Sequence, residues 1–406
     1  MSRFLQAAIR VLHLLYRGAR VLPLLVADIV LLALKHPRQQ AGLICLVRLD
    51  NIGDFFLWLD SARQLRDFYH GKRIVLVANQ AFADFARTLP YWDEVVPVDV
   101  AGLERSLAYR WKTFGMLRGM GVETVVQPVF SRVFMTGDAV VRILGAEKRI
   151  GSAGDLSNIA GWEKKIADRW YTDLVPARPE PKTELERNAE FLHGLGLVPA
   201  PVSLANLPEP MGMGKARRFE FPYLILFAGA SWSGKIWPLD LFAQCADEVH
   251  ARHGWKAVIC GGFADVPNAE KIRNGIGSHQ AVNVAGQTNL VELVELIRGA
   301  QAFIGNDTSG IHIAAAVGVP AVCILGGGHF GRFLPYPSSI EGPKPVAVFH
   351  AMACYGCNWN CSQPYIRGEA VPCIRSVGVQ EVMAALERAL QSNLTKVELH
   401  CQLGKG

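Results

Sequence analysis

From residue 43 onward the chain alternates short apolar runs with stretches of helical periodicity. Leu43–Val47, Arg73–Val77, Glu94–Val98 and Thr124–Gln127 read as strands bounded by turn signals. Each is apolar nearly throughout instead of at every second residue, as in strands buried on both faces of a parallel sheet. The intervening helical patterns make βα units of them. Val198–Glu220 breaks the rhythm with Pro199, Pro201, Pro208, Pro210, Gly212 and Gly214, followed by Lys215-Ala-Arg-Arg218. That is a linker composition. The alternation then restarts at Tyr223–Phe227, Lys256–Cys260, Ala281–Val284, Ala302–Ile304 and Ala321–Leu325. The pattern predicts an α/β protein of two doubly wound domains, residues 41–200 and 221–390, around a 201–220 linker. Residues 1–40 form an extension and residues 391–406 a tail. Ligands of such sheets bind beyond the carboxyl ends of the strands, so a cleft between the domains is the expected site.

The extension is patterned differently. Leu5, Ile9, Leu12 and Tyr16 fall at helical spacing among Arg3, Arg10, Arg17 and Arg20. A second run, Val21–Leu34, is almost wholly apolar but carries Pro23 and Asp28. Spanning a bilayer takes about 20 apolar residues, more than this run offers before Lys35. No cleavage site follows it; the chain runs directly into the first strand. Two readings are open: a basic amphipathic hairpin on a membrane surface, or a pair of helices packed on the domain.

Composition narrows the function classes. The 406 residues are 50% hydrophobic and 19% charged, with a formal net charge of +6. Such a chain has ample core and is no disordered segment. The modest, dispersed charge suits anionic lipid or phosphorylated ligands, whereas nucleic acid would want a denser basic stripe. Nine cysteines, an odd number, favour a reducing compartment.

Three strand exits carry candidate chemistry. In Arg48-Leu-Asp-Asn-Ile-Gly-Asp54, Gly53 is expected to turn the backbone tightly and Asp54 to stand at the start of the next helix. There it either caps the helix or faces the cleft as a reactive carboxylate, with Asp50 as a rival. In Phe227-Ala-Gly-Ala-Ser-Trp-Ser-Gly-Lys-Ile-Trp-Pro238, Ser231, Ser233 and Lys235 offer hydroxyls and a point charge to a diphosphate. The spacing is not that of a Walker loop, and a plain surface turn is the alternative. In Ala302–Pro320, the residues Asp307, Thr308, Ser309 and Gly310 crowd a strand-to-helix junction with His312 one turn on. Free N–H groups at such a junction attract anions. Arg132, after the fourth strand, either meets an anionic acceptor or is a solvated surface arginine. Asn51 is placed with it on the acceptor side.

Together, Arg48–Asp54, Gly229–Pro238 and Asn306–Pro320 resemble the lipopolysaccharide heptosyltransferases of glycosyltransferase family nine, over residues 43–390. The resemblance implies a GT-B architecture of two Rossmann-like domains, the first for a lipid-linked acceptor and the second for a nucleotide sugar. It implies inverting, metal-independent transfer from ADP-heptose to a lipid A/core oligosaccharide on the cytoplasmic face of the inner membrane. No cofactor is required, the ADP-sugar being a substrate. Asp54 matches the catalytic base and Lys235 the donor-phosphate lysine. The Asp307–Gly310 turn with His312 matches the diphosphate and sugar site, and Thr288 a position near the adenosine. Three features depart from the family pattern: Ser309 replaces a glycine, and the long N-terminal extension and Gly326-Gly-Gly-His329 are unusual.

The chemistry agrees with this expectation. One carboxylate deprotonates the acceptor hydroxyl, which attacks the anomeric carbon as the diphosphate leaves; the leaving group needs donors and positive charge, sought here in Lys235, His312 and the 307–310 helix terminus. No Asp-x-Asp metal clamp occurs in the chain. Cys354, Cys357, Cys361 and Cys373 are either a structural zinc site, reduced thiols of a loop, or disulfides in an exported protein. A nucleotide-sugar epimerase or hydrolase, and a non-catalytic membrane-surface scaffold, remain as alternatives on the same fold. The expected protein is a monomer on the inner-membrane surface with no nucleic-acid partner.

Overall fold

The structure, a computed structural model, describes residues 21–34, 38–207, 219–277, 281–340 and 344–403, with side chains followed to residue 392. The expected helix over residues 4–16 and most of the linker lie outside the described residues, as do the tail's side chains beyond residue 392. Among the described residues the chain separates into two units. The first gathers residues up to 51 with 62–178 and 190–200; the second takes 52–61, 179–189 and everything from 201 on.

Each unit is built on a six-stranded parallel sheet. In the first, β1 (Gln40–Arg48), β2 (Arg73–Asn79), β3 (Glu94–Val98), β4 (Val122–Gln127), β5 (Lys148–Ser152) and β6 (Asp173–Val175) pair in the order β3-β2-β1-β4-β5-β6. In the second, β7 (Tyr223–Phe227), β8 (Lys256–Cys260), β9 (Val282–Asn283), β10 (Ala302–Asn306), β11 (Ala321–Ile324) and β12 (Val346–Val348) pair as β12-β11-β10-β7-β8-β9. Counted from its own first strand, each sheet has the order 3-2-1-4-5-6. This is the doubly wound dinucleotide-binding topology, whose ligand crevice opens where the strand order reverses. That point lies between β1 and β4 in one unit and between β7 and β10 in the other. The central strands are apolar throughout because helices cover both faces: Cys45, Leu46 and Val47, like Leu224, Ile225 and Leu226, are fully buried. Helix Val379–Leu403 seals the second core with Val382, Met383 and Leu386.

Three strands do not stand out in the sequence pattern. β6 and β12 are three-residue edge strands. β5 reads Lys-Arg-Ile-Gly-Ser, and its glycine answers to packing: a Cβ at Gly151 would lie 2.4 Å from the Tyr171 ring.

The apolar N-terminal run is helical over residues 21–33. Leu24, Ala27 and Leu31 face the first unit, and Asp28, between them, is buried in a two-pronged ion pair with Arg110 (2.6 and 2.8 Å). Arg118 donates to the Leu32 and Leu34 carbonyls, both at 2.8 Å, satisfying the helix end. The opposite face leaves Leu22, Val26, Ile29 and Val30 exposed. Among the described residues no helix is long and apolar enough to cross a membrane.

Candidate active site

All three candidate segments, and Arg132, follow strands that flank the two reversal points. At the exit of β1, Arg48 is fully buried and pairs with Asp50 at 2.9 Å. Asp50 is thereby committed to the strand end, its carbonyl also accepting from Asn79 Nδ2 at 2.9 Å. Asn51, exposed and extended, occupies the N-cap of helix Ile52–Phe68, and Asp54 is the acid of its first turn. Asp54 is therefore not the cap itself; a carboxylate at this position still favours the helix start. Gly53 is helical, so the expected tight turn is not its role. A Cβ there would come 3.2 Å from His312 Cδ2 and 3.6 Å from Ser309 Cα. The glycine lets the first turn of this helix lie directly on the third candidate segment, within the second unit.

At the exit of β7 the small residues form a loop that ends in a single 3-10 turn, Ser233–Lys235, before helix Leu239–His253. Asn306, the last residue of β10 and wholly buried, clamps this loop. Its Nδ2 donates to the Ala228 carbonyl at 2.7 Å, and its Oδ1 accepts from the Trp237 N–H at 3.1 Å. Ser231 is exposed and Ser233 half-buried. Lys235 is half-buried as well; desolvation lowers its pKa, and the charge of Asp307 opposes that shift. Burial raises the Asp307 carboxyl to about 6, with Lys235 pulling the other way. The two groups thus form a loose couple of opposite charge.

At the exit of β10, Thr308 occupies the N-cap of helix Ser309–Ala316 without a side-chain cap bond, so the first-turn N–H groups are those that a helix start offers to an anion. Gly310 is required by packing: a Cβ would meet the Phe227 and Phe303 rings at 2.9 Å. Ser309 and His312, three residues apart, share the face that meets Gly53. His312 is buried with its Nδ1 2.7 Å from the Tyr336 hydroxyl, and burial lowers its pKa to about 3. It is a neutral hydrogen-bonding group and does not supply the positive charge expected of it. Thr288 is half-buried in the loop between β9 and helix Leu290–Arg298, two strands along the same sheet edge from β7.

Arg132 differs from both readings of its sequence. It is 1% exposed, neither solvated nor open to a ligand from solvent. Asp138 lies 3.5 Å away, Asp168 accepts a short hydrogen bond from its guanidinium, and the Tyr171 ring stacks 4.8 Å beneath it. Tyr171 also donates to Asp138 at 2.5 Å, and Lys164 closes the set on Asp168 at 2.9 Å. Residues Phe134–Asp138 form a π-helical turn, a geometry that recurs at functional sites.

Cys354, Cys357, Cys361 and Cys373 line one pocket with Tyr355 and Trp359. All four are free thiols, and among the described residues no three His, Cys, Asp or Glu side chains are arranged to hold a metal ion. Of the three readings of this cluster, the described residues match reduced thiols of a loop.

Comparison with known proteins follows the same outline. The profile of glycosyltransferase family 9 (heptosyltransferase) matches residues 139–343, half of the chain. Lipopolysaccharide heptosyltransferase 3 of Escherichia coli is 30% identical over 196 residues, covering 46% of this chain and 55% of that protein. The chain thus spans about half the length of that relative. Among solved structures, a family 9 glycosyl transferase from Veillonella parvula superposes with a TM-score of 0.68 at 17% identity, covering 88% of this chain and all of the other. An E. coli heptosyltransferase solved with ADP-2-deoxy-2-fluoro heptose gives 0.60 at 15% identity, over 85% and 99%. Both share the two-sheet fold found here. On the match to its profile, the chain belongs to glycosyltransferase family 9, the heptosyltransferase family.

Proposed function

We propose that this protein is an inverting glycosyltransferase that moves a heptose from ADP-heptose to a lipid-linked core oligosaccharide in lipopolysaccharide assembly. In this reading the second unit binds the donor and the first unit the acceptor. Asp54 takes the proton of the acceptor hydroxyl, whose oxygen then attacks the anomeric carbon while the diphosphate leaves with its bonding electrons. Lys235, Ser231, Ser233 and the N–H groups of the 307–310 turn receive the developing charge, and His312 donates as a neutral imidazole. Thr288 lies toward the nucleoside and Asn51 toward the acceptor, while Arg132, buried in its own ion pairs, takes no direct part. No step calls for a metal, and chelators should leave turnover intact.

The observation that carries this reading is the approach of the Asp54 turn to Ser309 and His312, made possible by Gly53. It sets the turn that carries Asp54 against the start of the 309–316 helix, a carboxylate next to an anion-binding helix terminus, as a base and a leaving-group site require. A solved relative bound to an ADP-heptose analogue supports the donor class.

Asp54→Asn tests it. Transfer to a truncated core acceptor, read by mass shift, should fall by about 10²–10⁴-fold while ADP binding persists. Near-normal turnover would remove Asp54 from its role, and ADP-heptose consumption without acceptor would point to a hydrolase instead. The apolar face Leu22, Val26, Ile29 and Val30, following an arginine-rich segment, supports attachment to an anionic membrane surface; the proposed place is the cytoplasmic face of the inner membrane, as a monomer. Ile29→Glu should reduce co-sedimentation with anionic vesicles.

A further inference from the structure

Two sequence features have no part in the mechanism above, the Gly326-Gly-Gly-His329 stretch and the four-cysteine loop, and they meet at one residue, Trp359. A Cβ at Gly326 or Gly328 would lie 2.7 and 2.3 Å from the Trp359 indole, and one at Gly327 would lie 2.2 Å from the Tyr355 ring. The glycines are therefore the floor on which the cysteine loop's aromatics sit. Backbone bonds fix that seat, Gly356 N–H to Gly327 O at 2.8 Å and Asn358 N–H to Gly328 O at 3.0 Å. Asn358 and Trp359 both adopt left-handed backbone angles, φ +48° and +61°. For residues with side chains this conformation is costly and persists only where the surroundings enforce it.

What the enforcement achieves is an orientation of the indole. The Trp359 N–H donates to His329 Nδ1 at 3.3 Å, and His329 Nε2 lies 2.7 Å from Asn358 Oδ1. An indole N–H can only donate, so His329 Nδ1 accepts and its proton sits on Nε2. Burial and the nearby charges of Lys235 and Arg332 lower the His329 pKa, consistent with that neutral form. Trp232 braces the indole from another side, ring centroids 6.1 Å apart. The indole's open face then carries the Lys235 ammonium, 4.4 Å from its centroid.

We propose that Trp359 is a positioning residue for Lys235, held in place by His329, Asn358 and the three glycines, and that the cysteine loop is thereby a working part of the donor site. An aromatic face favours the charged amine without accepting a hydrogen bond from it, and so holds Lys235 without adding, beside its partner Asp307, a competitor for the diphosphate. A carboxylate in the same place would compete with the ligand for the amine's N–H groups. The proposal rests on the reading of Lys235 as the diphosphate contact.

The test is ADP affinity by calorimetry on the full chain, for Trp359→Leu, Trp359→Phe, Lys235→Ala and each Trp359 variant combined with Lys235→Ala. Trp359→Leu should weaken ADP about tenfold where Lys235 is present and less than about twofold where it is absent. Trp359→Phe, which keeps the packing and a weaker π face, should weaken ADP only about threefold, and carries the test if the Leu variant does not fold. Loss of the indole should also shift the alkaline fall in ADP affinity to lower pH, a change that mere loosening of the loop would not produce. Equal losses with and without Lys235, or no loss in either Trp359 variant, would overturn the proposal. An unchanged affinity in Lys235→Ala alone would instead overturn the donor reading beneath it.

Discussion

The two sheets share one strand order, yet the points where that order reverses are furnished in opposite ways. Between β1 and β4 the strand exits end in buried charge: Arg48 with Asp50, then Arg132 with Asp138, Asp168 and Tyr171. Between β7 and β10 they end in backbone and small residues around a single loose couple, Lys235 with Asp307, the lysine resting on an aromatic face and His312 uncharged. Topology sets where a ligand can lie, and the side chains decide what the location can do. In the first unit the charges neutralise one another within the protein. In the second, on the proposed reading, Lys235 and the start of the 309–316 helix serve a ligand.

Substitution of one cation in each unit should separate these uses most sharply. Arg132→Met leaves Asp138 buried without its counter-charge, a change that costs about 3–5 kcal/mol. Urea unfolding should show that loss, with ADP affinity of the folded protein unchanged. Lys235→Ala should do the reverse, moving stability by less than about 1 kcal/mol while weakening ADP. If both variants lost stability and spared ADP, the two reversal points would be alike in kind.

The pH dependence of stability offers a second contrast, because the shifts have opposite signs. Burial raises the Asp138 carboxyl to about 6. Its contribution is complete below the ordinary value near 4 and is lost as pH rises through 6. Burial lowers His312 to about 3, so its contribution is present above about 6.5 and is lost as pH falls toward 3. Asp138→Asn should remove a downward slope between pH 4 and 6, and His312→Gln an upward slope between pH 3 and 6.5. Each slope is at most about 1.4 kcal/mol per pH unit. Unfolding midpoints measured across that range will show them, and a slope unchanged by its substitution would place the titrating group elsewhere.

The sequence is informative to different depths in the two units. Nine of the twelve described strands stand out as apolar runs, because burial on both faces leaves little room for polar residues. The three that do not are edge strands, or one whose glycine is dictated by Tyr171, a residue distant in the chain. Asp54, Lys235 and the 307–312 segment could be singled out because each lies in the segment that leaves a strand. The Arg132 network could not, since its partners Asp138, Asp168 and Tyr171 are dispersed among helices and turns that carry no shared motif. Gly53 shows the same limit locally. Its sequence context suggests a turn, and only the neighbouring His312 reveals that its smallness is what matters. His329 and Trp359 were visible as oddities of composition, but their partnership depends on two loops meeting.

Asn306 carries the comparison to a single side chain and a smaller effect. It is as buried as Arg132, but it spends both ends of its amide on the backbone of the loop that leads to Lys235. Asn306→Ala would leave the Ala228 carbonyl and the Trp237 N–H without their partner, costing about 1–3 kcal/mol of stability. Because those groups hold the loop's two ends, the same substitution should also weaken ADP several-fold. Arg132→Met, which is expected to cost more stability, should not. Buried polar groups in the first unit would then serve the fold alone, while those in the second serve fold and ligand together. A fall in stability for Asn306→Ala with ADP affinity preserved would show that the loop keeps its shape without the clamp, and would leave Lys235 positioned from the Trp359 side only.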